Sequence, residues 1–240
     1  TGSSWNTTKT SGTNIVDGPY LGGNFWASPD GTGFSQTHPD RGDGFCNESY
    51  ALNADNIDYL PLHMIPPDYV LQLSAGWNFI SVPKRLASDA DTVGEVLLRH
   101  VDMADHPIWL YDASRPAWVV MREDDVLKPL DGIWVYSAID TRVPLVFDQD
   151  PRHLPPAKSL STGWNAIGFS DIRPSSTKST LLSVKNAWTI LYPFDAAVQR
   201  YDTSIINGDS GIHSDEREMK PGEGYWLYMT EAGTLPAIGA

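Results

Sequence analysis

The sequence predicts a mainly β chain with minor helix, in which a turn-rich N-terminal segment precedes two tandem copies of one β-rich domain. Three observations carry this expectation. Residues 1 to about 65 are dense in Gly, Asn, Asp, Ser and Thr, and their apolar residues come singly or in pairs with no 3.6-residue period. Further on, Leu73-Ser74-Ala75-Gly76-Trp77-Asn78-Phe79-Ile80-Ser81 returns as Leu160-Ser161-Thr162-Gly163-Trp164-Asn165-Ala166-Ile167-Gly168, an offset of 163 − 76 = 87. Lys128-Pro129-Leu130-Asp131-Gly132-Ile133-Trp134-Val135-Tyr136 likewise returns as Lys220-Pro221-Gly222-Glu223-Gly224-Tyr225-Trp226-Leu227-Tyr228, an offset of 226 − 134 = 92. Two motifs repeated in one order at nearly one spacing set the boundaries 1–65, 66–150 and 151–240.

Taken in order, the first segment offers short strands at Thr13 to Val16 and Ile57 to Leu60, with tight turns at Gly18-Pro19 and Gly22-Gly23, and Pro66-Pro67 closes it. Each copy then reads as an opening strand through Gly-Trp-Asn, a short helix, a β-hairpin and a closing Trp-bearing strand. The first helix is expected from Thr92 to Val101, with Val93, Val96, Leu97 and Val101 on one face and Asp91 as N-cap. Ile108 to Tyr111 and Trp118 to Met121 form its hairpin through Asp112 to Pro116. The second copy matches these with a helix at Thr177 to Val184 and strands at Thr189 to Tyr192 and Val198 to Tyr201. Asp148 to Pro156, stiffened by Pro151, Pro155 and Pro156, links the copies. Trp77, Trp134, Trp164 and Trp226 sit in the repeated strands, which favours a core role; exposed, they would stack on sugar rings.

Composition narrows the function. The 240 residues are 41% hydrophobic with nine Trp, as in a folded protein, and no stretch is long and apolar enough to span a membrane. Thirty acidic against seventeen basic residues give a charge of −13, which repels phosphate backbones and argues against nucleic acid. Cys46 has no partner in the chain and reads as a small buried hydrophobe, or as a thiol paired with another chain. Thr1 opens the sequence as if it were a processed piece of a longer product. Sequons at Asn6 and Asn47 lie in polar, turn-like surroundings, consistent with an exported glycoprotein.

Residues 1 to 62 resemble the last coil and capping segment of right-handed parallel β-helix (NosD-like) repeat proteins from the cell surface of methanogenic archaea. The resemblance rests on Trp5-Asn6-Thr7-Thr8-Lys9-Thr10, Gly18-Pro19-Tyr20-Leu21-Gly22-Gly23-Asn24-Phe25-Trp26, Gly31-Thr32-Gly33-Phe34-Ser35-Gln36-Thr37 and Asn56-Ile57-Asp58-Tyr59-Leu60-Pro61-Leu62. It implies a β-helix-like cap and an extracellular location, and the tandem Gly-Trp-Asn to Gly-x-Trp copies resemble modules appended to envelope proteins. The family's Cys before an Asp-rich loop, the partner expected for Cys46, is missing here, with Thr37-His38 in its place.

The resemblance also makes Asp40 to Glu48 a calcium-type loop, with Asp40, Asp43, the Phe45 carbonyl and Asn47 or Glu48 as ligands of Ca²⁺. Gly42 and Asn47 stand where acids are expected, and a metal-free loop held by Asx-turn hydrogen bonds accounts equally for these residues. Arg41-Gly42-Asp43 spells an integrin-recognition tripeptide of the kind that arises by chance. Gly208-Asp209-Ser210-Gly211 has the look of a serine-protease motif but lacks a matching His context, so it reads as a turn. Glu123-Asp124-Asp125 and Asp215-Glu216 are the acids available for glycoside hydrolysis, and acidic runs beside turns are usually solvated. The expectation is therefore a non-enzymatic structural module of an extracellular surface layer, sheath or filament. It would polymerise through strand edges or through its incomplete N-terminal coil, or dock other surface proteins. The alternatives are an adhesin or carbohydrate-binding module, and a fragment of a polysaccharide-active β-helix enzyme.

Overall fold

The computed structural model describes residues 7–16, 18, 20–64, 67–88, 90–150 and 152–238. The chain is mainly β, and none of the described helices is long and apolar enough to cross a membrane. It forms two compact units, Thr1–Pro66 and Pro67–Ala240.

In the first unit β1 (Thr10–Ser11) pairs with β2 (Tyr20–Leu21), and β3 (Tyr50–Asn53) with β4 (Asn56–Asp58), both antiparallel. Stacked coils of a parallel β-helix would pair in parallel; the described pairs instead close the segment on itself as a turn-rich cap. Thr13 to Val16, expected as a strand, is a turn. The Asn14 side-chain oxygen accepts from the Val16 and Gly18 amides at 2.9 and 3.0 Å, offering the backbone a local partner that competes with a ladder. The second expected strand ends at Asp58, two residues early, for a related reason. The buried Asp58 carboxylate turns back to accept from the Leu60 amide at 3.0 Å, the Asn24 amide at 2.7 Å and the Trp26 indole at 2.8 Å. Phe45, Cys46 and Leu62 pack at this unit's centre.

The second unit contains both sequence copies. The first copy runs β5 (Tyr69–Leu73), β6 (Gly76–Ile80), β7 (Trp109–Asp112), β8 (Ala117–Val120), β9 (Ile133–Ser137) and β10 (Thr141–Leu145). The second runs β11 (Ala157–Leu160), β12 (Gly163–Gly168), β13 (Ser175–Ser176), β14 (Trp188–Asp195), β15 (Arg200–Tyr201), β16 (Ile205–Ile206), β17 (Glu218–Met219), β18 (Gly224–Met229) and β19 (Gly233–Pro236). Both copies have the same topology. The sheet β6-β9-β7-β8 matches β12-β18-β14-β15, and the pair β5-β10 matches β11-β19.

The repeated Gly-Trp-Asn has a local cause. Gly76 and Gly163 adopt φ of 105° and 94°, values that L side chains rarely take, to turn the chain into β6 and β12. The buried Asn78 then accepts from the Ser74 amide at 2.9 Å and donates to the Ser74 and Gly76 carbonyls at 2.8 and 3.0 Å. Asn165 does the same with Ser161 and Gly163, at 2.9, 2.7 and 3.0 Å.

The helices are shorter than expected. Thr92 to Val101 yields a π-helical turn, Gly94–Leu98, and the Thr92 hydroxyl accepts from the Glu95 amide at 3.3 Å, the capping contact given to Asp91 from sequence. The expected face nevertheless holds, since Val93, Val96, Leu97 and Val101 are all buried. In the second copy Thr177–Thr180 is α-helical and Leu182–Val184 forms a 3₁₀ turn.

Each copy builds its own core, around Leu97, Ile133, Val135 and Val143 in the first and Phe169, Leu191, Tyr225 and Leu227 in the second. Leu130, from the turn before β9, packs into the core of the second copy. The contacts between copies are reciprocal. Ile80 bridges Glu223, and its counterpart Ile167 bridges Asp131, the counterpart of Glu223. Ser81 donates its amide to Gly222 at 3.0 Å, and Gly168 donates to Leu130 at 2.8 Å. Such reciprocity is the mark of a two-fold relation, here inside one chain. A Cβ on Gly168 would lie 2.4 Å from that of Ser81, so the two equivalent positions meet at the axis and one of them must be glycine.

Candidate functional site

Alternation along the closing strands decides where the aromatic residues go. Ile133 and Val135 of β9, like Tyr225 and Leu227 of β18, point into the cores and are buried. Trp134 and Tyr136, and Trp226 and Tyr228, therefore lie on the opposite face of each sheet. The four repeated Trp residues, expected in the core, are half-buried (Trp77, Trp134, Trp226) or exposed (Trp164). Strand period two overrides the expectation, because the neighbours of the Trp residues, Ile133 and Val135, Tyr225 and Leu227, Asn78 and Asn165, take the buried positions.

These outward rings meet across the axis between the copies. Trp77 lies edge-on to Trp134 at 6.4 Å, and Trp164 to Trp226 at 6.5 Å. Trp109 meets Trp118 at 6.3 Å, and Tyr192 meets Tyr201 at 6.2 Å. Tyr111 reaches across to Trp226 at 5.1 Å, as Phe194 reaches to Trp134 at 4.7 Å. The edge-to-face geometry matches what ring quadrupoles favour.

The rings wall two pockets. One, of about 490 Å³, is lined by Tyr111, Trp118, Trp164, Tyr192, Tyr201 and Trp226. The other, of about 440 Å³, is lined by Trp77, Trp109, Trp118, Trp134 and Tyr201. Trp118, Trp164 and Tyr201 are 49%, 39% and 50% exposed, so the cleft is open to solvent. Trp226 donates its indole N–H to the Tyr201 hydroxyl at 3.2 Å, whereas the buried Trp134 indole N–H has no partner among the described residues. Gln199 ties the copies at the rim, its amide bonded to the Trp77 amide and carbonyl at 2.8 Å each. The alternation of aliphatic and aromatic residues in Ile133-Trp134-Val135-Tyr136 was the sequence signal for a two-faced sheet, and it identifies this cleft.

The loop singled out from sequence is organised by protein donors. Asp40 accepts from the Gly42, Asp43 and Gly44 amides at 2.9, 3.2 and 3.0 Å, and the Phe45 carbonyl accepts from the Arg41 amide at 3.0 Å. Asp43 takes Arg41 Nε at 2.7 Å and Lys9 Nζ at 2.8 Å. The hydrogen bond from Arg41 holds its carboxyl down to about 2 against the opposing effect of burial, and the hydrogen bond from Lys9 adds a lesser share. Asn47 and Glu48 are exposed and turned to solvent. Asp40, Asp43, Phe45, Asn47 and Glu48 thus share one loop, of which Asp40, Asp43 and the Phe45 carbonyl form a hydrogen-bonded network and Asn47 and Glu48 stand outside it. Among the described residues no group of three or more His, Cys, Asp or Glu is placed to hold a metal ion.

Of the sequons, Asn47 stands exposed beside the exposed Ser49, and Asn6 lies outside the described residues. Cys46 is buried, which pushes its thiol pKa up, and its Sγ donates to the Leu62 carbonyl at 3.5 Å. Asp125 accepts from the Arg122 amide at 2.7 Å within its own turn, Asp215 accepts from the Gly208 amide at 2.9 Å, and Glu216 pairs with the distant Lys178 at 2.8 Å. His213 turns its Nδ1 to Ser204, with Oγ at 3.2 Å and the carbonyl at 2.9 Å. Ser210 is bonded through its amide to Asp209.

With this geometry in hand, comparison with known proteins adds one match. The family model described as periplasmic copper-binding protein (NosD) matches residues 1–31, within the segment that resembles a β-helix cap. No curated protein and no solved structure matches the chain.

Proposed function

We propose that this chain is a non-catalytic module of an extracellular protein, of the adhesin type, which holds glycans on the aromatic cleft between its two copies. The observation that carries this reading is the cleft itself, an open surface walled wholly by Trp and Tyr in a chain with two other sheet faces available for its cores. An apolar patch left open by a folded protein marks an interaction site, and indole and phenol rings match the C–H faces of sugars while offering N–H and O–H groups to their hydroxyls. The NosD match, to a family described as periplasmic, and the exposed sequon at Asn47 support an exported location. Titration of the intrinsic Trp fluorescence with neutral oligosaccharides is the test. Saturable quenching is expected, weakened at least about tenfold by Trp118→Ala, the loss of one stacking contact; fluorescence indifferent to every sugar would end the proposal.

A second reading, the structural subunit of a surface layer, sheath or filament, is favoured by one separate feature. All four residues of β8 are exposed, Trp118, Val119 and Val120 among them, and in the described sheet β8 pairs on one side alone, with β7. An apolar edge strand of this kind is a template for strand addition by another chain. Sedimentation of the wild type against Val119→Lys separates the readings. Concentration-dependent polymers lost in the variant support assembly, and a monomer in both rejects it.

A further inference from the structure

The two pockets are one site built twice, and this sets the kind of ligand. The strand pairings align Trp109 opposite Trp134 and Tyr192 opposite Trp226, and place Trp118 beside Tyr111 as Tyr201 lies beside Phe194. Under the two-fold relation, Trp77, Trp109 and Trp134 therefore correspond to Trp164, Tyr192 and Trp226, and Trp118 corresponds to Tyr201. Each pocket has three rings from one copy closed by Trp118 and Tyr201, which the two pockets share, and the pocket of the second copy adds Tyr111. The edge-to-face contacts within and across the copies recur in pairs with similar separations.

We propose that the cleft is a two-subsite groove for a linear, uncharged glycan, one sugar ring per pocket, with the chain crossing the axis between Trp118 and Tyr201. This rests on the glycan-binding reading above and deepens it. Charge complementarity selects the ligand. No charged side chain lines either pocket, and the chain as a whole carries −13, so polyanions are repelled and an uncharged polymer is admitted. Duplication of the pocket selects for a ligand that repeats itself. The Trp134 indole N–H, buried behind the pocket of the first copy, has no partner among the described residues.

Two linked weak contacts exceed either alone, because the second becomes intramolecular. The test is calorimetric and fluorescence titration with linear neutral homo-oligosaccharides of glucose, mannose, galactose and N-acetylglucosamine, one to six units long, on the wild type and on Trp77→Ala and Trp164→Ala. At least one series is expected to gain roughly 100-fold in affinity with length and then level off. Each variant should lose most of that gain, to a similar extent, and retain the affinity of the shortest binder. Trp77→Tyr and Trp164→Tyr keep a ring in place and should lose less, which carries the test if an alanine variant does not fold. Binding that ignores length, or that only one of the two positions affects, overturns the two-subsite groove while leaving glycan binding intact. Failure of every saccharide overturns both, as does exclusive binding of an oligoproline peptide included as a competitor for the same rings, or a Trp118-dependent dimer that blocks the cleft.

Discussion

Asn165 shows how much one side chain can fix. Fully buried, it satisfies one amide and two carbonyls of the turn that starts β12, so that turn has no need of water. Asn165→Ala leaves these groups unsatisfied and is expected to cost about 1–3 kcal/mol in chemical denaturation, with Asn78→Ala costing a similar amount. Asn165→Asp should cost more at neutral pH, since a carboxylate would face the two carbonyls that now accept its amide, and part of the loss should return on acidification. A variant as stable as the wild type would show that the turn is held by other means. The Gly-Trp-Asn repeat was legible as a repeat, and its Gly and Asn explain themselves once the turn is seen. The Trp was misplaced because size and apolarity suggest burial, whereas on a strand the neighbours at odd and even positions decide which face a side chain occupies.

Among the elements, the loop Asp40 to Cys46 carries a pH signature. Asp43 is depressed to about 2 chiefly by the hydrogen bond from Arg41. A carboxyl lowered in the folded state contributes stability that is present above its ordinary pKa, near 4, and is lost as pH falls toward 2. Thermal midpoints of the wild type should therefore drop between pH 5 and pH 2 relative to Asp43→Asn, which starts lower at pH 5 and converges with the wild type at pH 2. Parallel curves for the two proteins would remove Asp43 from the account. The residues of this loop were visible in sequence, and two arrangements of them, calcium-bound or self-bonded, were equally consistent with the spacing. In the arrangement described Asp40 accepts from the Gly42, Asp43 and Gly44 amides, a detail that spacing alone does not carry. The first hairpin was read to within a residue because turn residues bracket it, in the second β14 runs three residues past the expected end, and the first helix shrank to a π-turn whose buried face was nonetheless read correctly.

For the whole molecule, the repeat was legible and its consequence was not. Offsets of 87 and 92 announced two copies, but nothing in a linear pattern says that the copies face each other about an axis. The close approach at Ser81 and Gly168 makes that arrangement testable. Gly168→Ala places a Cβ against Ser81 and the Asp131 carbonyl and is expected to destabilise the unit Pro67–Ala240 by about 1–3 kcal/mol, as overpacking does. In a Ser81→Gly background the same change should cost less, a non-additivity that a double-mutant cycle on unfolding free energies would read directly. Strict additivity would mean the two positions do not meet. Leu130, buried in the core of the other copy, ties the two halves further and accounts for their forming one compact unit.

The peptide that joins the halves also frees them from being identical. Phe79 stacks on Trp134 at 4.6 Å but meets Trp226, whose strand partner is Ala166, only tilted at 5.6 Å, and one indole N–H is satisfied while its twin is not. A pair of separate, equal subunits must present the same floor twice and can have no sense of head and tail. In this chain the packing beneath the two indoles differs, so a thread laid across the seam would meet two unlike ends and could be told apart from its reverse.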